Sequence, residues 1–112
     1  MIIYHNPDCS KCNEALDLLK QNNCEFTIRY YLSHPPSVEE LKELLDKLQC
    51  KPIDIVRKKE PLYEQLYATG QFNDHEWLNI LSRHPILIER PIVINNNKAI
   101  IGRPPQLVIN II

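Results

Sequence analysis

No segment of this 112-residue chain approaches the roughly 18 consecutive apolar residues that a membrane-spanning helix needs. Charge of one sign is also missing. The 13 lysines and arginines nearly cancel the 14 acidic residues, and neither sign gathers into a block. That balance removes the basic footprint expected of a partner for nucleic acid or an anionic membrane. The N-terminus enters an apolar strand with no basic n-region and no secretory h-region, so a cytoplasmic location is expected. Repeats, low-complexity tracts and linkers are absent. The length fits a single domain able to bury about two-thirds of the surface its unfolded form exposes. With no sign of a secreted origin, the four cysteines, at 9, 12, 24 and 50, are expected as free thiols. A structural zinc site lacks its second half: Cys9 and Cys12 are a close pair, Cys24 and Cys50 are not, and only His5 adds a ligand type nearby. No metal and no bound cofactor are expected.

What is present begins with a strand, Met1-Ile2-Ile3-Tyr4, followed by a helical pattern whose apolar face carries Ala15, Leu16, Leu18 and Leu19. Asn22-Asn23 stops it, and Glu25 to Tyr31 is β-branched and aromatic, as strands are. A βαβ unit makes its two strands parallel, which narrows the fold to α/β types. After His34-Pro35-Pro36, Ser37 and Glu40 form a capping box for a helix to about Gln49, with Val38, Leu41, Leu44, Leu45 and Leu48 on one stripe. From Lys51 to about Arg83 the chain reads as short helices punctuated by prolines, with a second capping box from Asn73 to Glu76. His84-Pro85 ends that stretch. Two strands, Ile92-Val93-Ile94 and Ala99-Ile100-Ile101, are joined by asparagines that suit a hairpin turn. A short helix starts at Pro104 or Pro105. The order matches a thioredoxin-like, glutaredoxin-like mixed four-stranded sheet, with a helical insertion over about 37–84 between its βαβ and ββα halves.

Chemistry concentrates where the first strand gives way to the first helix. Cys9 falls at the helix N-terminus, where unpaired N–H groups, the helix dipole and the ammonium of Lys11 favour thiolate over thiol. Cys12 follows two residues on, and the pair suits disulfide exchange. The competing reading is two buried, inert thiols. Cys24 and Cys50 lack polar company and read as packing residues. Arg57, Arg90 and Arg103 each border an apolar element, so each is either snorkelling to solvent or facing an anion that its planar fork can bind. In a thioredoxin-like sheet the loop before the third strand faces the thiols. A cis proline there, at Pro91, would deliver Arg90 to Cys9, and Arg103, past the neighbouring strand, could reach the same pocket.

Four segments in this order, Tyr4 to Cys9, Arg57 to Tyr63, His84 to Val93 and Gly102-Arg103-Pro104, strongly resemble the glutaredoxin-coupled arsenate reductases of the ArsC family. The resemblance implies that Cys9 attacks arsenate held by Arg57, Arg90 and Arg103. Glutathione, as co-substrate, then attacks the adduct, and glutaredoxin resolves the mixed disulfide as arsenite is released. His5 matches the histidine that precedes the thiol loop in the family, either tuning Cys9 or serving structure. Cys12 departs from the well-studied glutathione-dependent pattern and matches the Spx-type regulators, relatives that bind RNA polymerase and use C-x-x-C as a redox switch. It is therefore read as an auxiliary or resolving thiol, with thioredoxin as an alternative reductant. The other readings are a redox-switch regulator and a thiol oxidoreductase of another substrate. Retention of Arg103 in Gly-Arg-Pro favours the enzyme.

Overall fold

The computed structural model describes residues 1–112 and divides into two compact units, Met1–His34 with Arg90–Ile112, and Pro35–Glu89. The second contains the whole of the helical stretch expected over about 37–84.

In the first unit, β1 (Ile2–Tyr4), α1 (Ser10–Gln21) and β2 (Thr27–Arg29) form the expected βαβ unit, with β1 and β2 parallel. The sequence predicts one strand over residues 25–31, but only three of them pair, because only Thr27, Ile28 and Arg29 oppose β1, itself three residues long. The hairpin β3 (Ile92–Asn95) and β4 (Lys98–Ile101) turns at Asn96-Asn97, with Asn96 at φ 55, a left-handed geometry that asparagine tolerates. Strand order is β2-β1-β3-β4, and both pairings of β3 are antiparallel. This is the mixed four-stranded, thioredoxin-like sheet expected from the order of elements. Ile3 and Val93 from the sheet, Ala15 and Leu19 from α1, and Val108 and Ile111 from a closing 3₁₀ helix over Pro105–Ile111 form its core. Asn95 Nδ2 donates to the Ile111 carbonyl at 2.7 Å and ties that last helix to the hairpin.

The second unit holds α2 (Val38–Leu48), a 3₁₀ turn over Pro52–Ile55, α3 (Pro61–Leu66) and α4 (Asp74–Arg83). Both capping boxes form. Glu40 N–H donates to Ser37 Oγ at 3.1 Å and Glu76 N–H to Asn73 Oδ1 at 2.8 Å, each returned by the glutamate side chain accepting from the cap N–H. One feature escaped the sequence. His84-Pro85 leads into a 3₁₀ turn over Pro85–Leu87, after which Ile88 bridges Val56 in antiparallel fashion. That bridge fixes the backbone of Arg57, whose N–H donates to the Leu87 carbonyl at 2.7 Å.

Gly102 has the tightest surroundings near the sheet. Its N–H donates to the Pro91 carbonyl at 2.8 Å, and a Cβ added there would lie 3.0 Å from both Pro91 Cγ and Val108 Cγ1. One neighbour is a rigid ring and the other a core side chain with no exposure. Gly102→Ala is expected to lower stability by about 1–3 kcal/mol, as overpacking does, read as a fall in the urea midpoint without a change in slope.

Candidate active site

Register builds the site. Tyr4, the last residue of β1, opposes Ile92, the first of β3, so the loop after β1 and the loop before β3 emerge at the same end of the sheet. Ile92 also opposes Ile101. Arg90 lies two residues before the first, and Arg103 two residues after the second. The two arginines are thereby neighbours, with Arg103 Nη1 donating to the Arg90 carbonyl at 3.4 Å. The Arg90–Pro91 bond is cis, as expected, and so is Arg103–Pro104.

The thiol loop is shaped by an asparagine that sequence reasoning passed over. Asn6 Oδ1 accepts from Asp8 N–H at 3.0 Å, an Asx turn, while the Asn6 carbonyl accepts from Cys9 N–H at 3.0 Å. Asn13 Nδ2 closes the loop from the helix side on the Pro7 carbonyl at 3.0 Å. The Asn-Pro-Asp sequence carried the turn signal. The result places Cys9 at the N-cap of α1 and Cys12 in its first turn.

Cys9 is 7% exposed and Cys12 is wholly buried. Burial opposes ionisation of Cys9, but the Cys12 backbone N–H, the Arg90 guanidinium and the Cys12 thiol outweigh it, and the Cys9 thiol is lowered below its ordinary value. Lys11, expected to help, instead pairs with Glu14 at 3.9 Å on the surface, and Arg90 supplies the positive charge. Cys12 goes the other way, pushed up to about 12 by burial and by the Cys9 sulfur beside it. The anion is favoured at one thiol and opposed at its neighbour.

Arg90 is the unusual cation. Its Nε and Nη1 are buried and meet no hydrogen-bond acceptor. Buried guanidinium nitrogens without acceptors are costly, so the arrangement is suited to an incoming anion with several oxygens. His5 is buried at the end of β1, its N–H donating to the Arg29 carbonyl at 2.9 Å and its ring meeting the edge of Tyr30. Burial first, and Lys20 second, lower its pKa, which favours the uncharged imidazole.

The first unit therefore assembles Cys9, Cys12, Arg90, Arg103 and Pro91. Arg57 belongs to the second unit, where its Nη1 donates to Glu60 Oε2 at 2.7 Å, with both side chains largely buried. Glu60 was not singled out from the sequence, although the spacing Arg57 to Glu60 allows an i, i+3 pair. Cys24 is half-buried against the core of its unit, and Cys50 is raised by burial and then by Asp54. No three His, Cys, Asp or Glu side chains converge as a metal ion would require, and no helix is long and apolar enough to cross a membrane.

Comparison with known proteins gives a consistent result. The ArsC family model matches residues 4–111. The protein named arsenate reductase from Haemophilus influenzae is 42% identical over 114 residues, covering 100% of this chain and 98% of its own. An uncharacterised Escherichia coli K12 protein, YfgD, is 41% identical over 98% of this chain and 94% of its own. Among solved structures, the arsenate reductase from Vibrio cholerae superposes with a TM-score of 0.93 at 42% identity, covering 99% of this chain and 96% of that one.

Two alkylation results are expected from the thiol loop. Iodoacetamide should label Cys9 ahead of Cys12, Cys24 and Cys50, with a pH midpoint below the usual thiol range. Arg90→Gln removes a charge that favours the anion, so it should move that midpoint upward, as read by peptide mass mapping across pH.

Proposed function

Because this chain belongs to the ArsC family, we propose that it is a thiol-dependent arsenate reductase, reducing arsenate to arsenite in a reducing, cytoplasmic setting. The observation that carries the reading is the juxtaposition of a lowered thiol with a buried guanidinium that has two unpartnered nitrogens. A thiolate approaching an oxyanion meets like charge. Guanidinium groups around the oxyanion offset that repulsion and stabilise the charge as the bond forms.

Cys9 is the nucleophile. Its sulfur attacks arsenic, and one arsenate oxygen leaves as water after protonation. Arg90 and Arg103 hold the remaining oxygens from the first unit, and Arg57 is the third guanidinium of the proposal. Pro91 positions Arg90, while the buried His5 orders the end of β1. Two electrons must then reach arsenic. Glutathione, as co-substrate, supplies one sulfur and Cys9 the other, and glutaredoxin clears the mixed disulfide. Thioredoxin is the alternative donor. A redox-switch regulator, with RNA polymerase as its partner, is the second reading, favoured by the contact between the two thiols.

Anaerobic arsenite production by the purified protein, supplied with glutathione and glutaredoxin or with thioredoxin, tests the enzyme. Cys9→Ser should abolish turnover under both reductants. Arg90→Gln and Arg103→Gln should each lower kcat/KM, with Arg90→Gln losing about 10²–10³-fold, as removal of a group that stabilises transition-state charge does. Absence of arsenite with every reductant would overturn the reading. Partner capture that differs between the oxidised and reduced protein would then support the switch.

A further inference from the structure

The arsenate reaction as described uses one thiol of the pair, yet the second is held against it. Cys12 is one helical turn from Cys9, wholly buried, with its thiol and its backbone N–H both directed to the Cys9 sulfur. A cysteine kept only for packing has no need to meet the nucleophile. With no exposure at all, Cys12 is closed to glutathione or a protein thiol, whereas Cys9 retains a small opening. Among the reactants of this site, Cys12 can meet only Cys9.

We propose that Cys12 is the resolving thiol of the reaction, attacking Cys9 Sγ in the arsenate adduct so that the reducing electrons come from the chain itself. The step balances. A Cys9–Cys12 S–S bond forms and the Cys9 S–As bond breaks. Its electron pair passes to arsenic, which leaves as As(III) arsenite, and the Cys12 proton goes to an arsenite oxygen. Two thiols become one disulfide, and As(V) gains two electrons. A dithiol of the thioredoxin or glutaredoxin class then attacks the more accessible Cys9 sulfur and restores both thiols. The step rests on the arsenate reductase reading and replaces glutathione's attack on the adduct with an internal one.

The environment also orders the two events. Three influences hold the Cys12 proton: burial, the hydrogen bond to Cys9 and the Cys9 negative charge. The last two exist only while Cys9 is a free thiolate. Once its sulfur is bonded to arsenic those two vanish; burial, the largest of the three, remains, opposed by the Asn6 backbone and Arg90, both of which favour the Cys12 anion. Cys12 is thus held more firmly in its thiol form before Cys9 reacts than afterwards.

The test is a single turnover without small thiols. Fully reduced protein, given excess arsenate under anaerobic conditions, should release about one arsenite per chain and yield a Cys9–Cys12 crosslinked peptide. Cys12→Ser and Cys12→Ala, each checked for a native melting transition, should release none until glutathione is added, and thioredoxin should sustain turnover of the wild type alone. A Cys12 variant with the wild-type single-turnover yield, or a crosslink to Cys24 or Cys50, would overturn the inference while leaving arsenate reduction intact. No arsenite from any form with any reductant would instead remove the arsenate reading, and the resolving step with it. A peroxide arm reads the pair independently of arsenic. Cys9 sulfenic acid should close to the disulfide in the wild type and persist, trapped by dimedone, in Cys12→Ser; equal trapping in both would count against the pair.

Discussion

Antiparallel pairing of β1 with β3 is the constraint on which the site depends. Three residue pairs, Ile2 with Ile94, Ile3 with Val93 and Tyr4 with Ile92, join segments 88 to 92 positions apart in the chain and bring the end of one strand beside the start of the other. A slip of one residue would turn Ile3 and Val93 out of the core, so burial enforces the register. The same register carries Arg90 to the thiol loop. Through the pairing of β3 with β4, it also brings Arg103 to the Arg90 carbonyl. The acidity of Cys9 is thus a product of strand alignment as well as of its own helix.

Burial acts on the two cysteines in the same direction and yields opposite outcomes. Desolvation favours the neutral thiol at both positions. Only at Cys9 do an amide N–H, a guanidinium and a neighbouring S–H together exceed it. Because the two sulfurs interact, stabilising the anion at one disfavours it at the other. Arg57 shows a different solution to burial of a cation. It is neutralised locally by Glu60, whereas Arg90 keeps two nitrogens unmatched. The Glu60 pair orients Arg57 through one nitrogen, while the unmet Nε and Nη1 of Arg90 suit a ligand.

Much of the fold was legible because its signals are local. The capping boxes at Ser37 and Asn73, the asparagine turn between β3 and β4 and the apolar face of α1 each announce an element within a few residues. Their order then limits the topology. The features that were missed depend on pairing across the chain: the bridge of Val56 with Ile88, the truncation of β2 to three residues and the engagement of Lys11 by Glu14. The site divides along the same line. The candidacy of Cys9 came from its helix start, and the link to Arg90 came from Pro91, read by analogy with the loop before the third strand of a thioredoxin-like sheet. The motif pattern of the ArsC family pointed the same way, and the sheet register explains it.

Division of the first unit into two stretches, Met1–His34 and Arg90–Ile112, has a consequence for how the protein is made. Cys9 precedes Arg90, and the strand that follows Arg90, by the whole of residues 35–89. Until β3 leaves the ribosome the sheet lacks a central strand, and β1 and β2 form an incomplete pair with an open edge. Residues 35–89, contiguous in sequence, can condense while the nascent chain waits. Sheet closure must then gather ends separated by that whole stretch, a non-local step of the kind that slows folding. During that interval Cys9 lacks the contribution of Arg90 to its lowered pKa. The Arg90 share of its acidity is acquired only once β3 has joined the sheet.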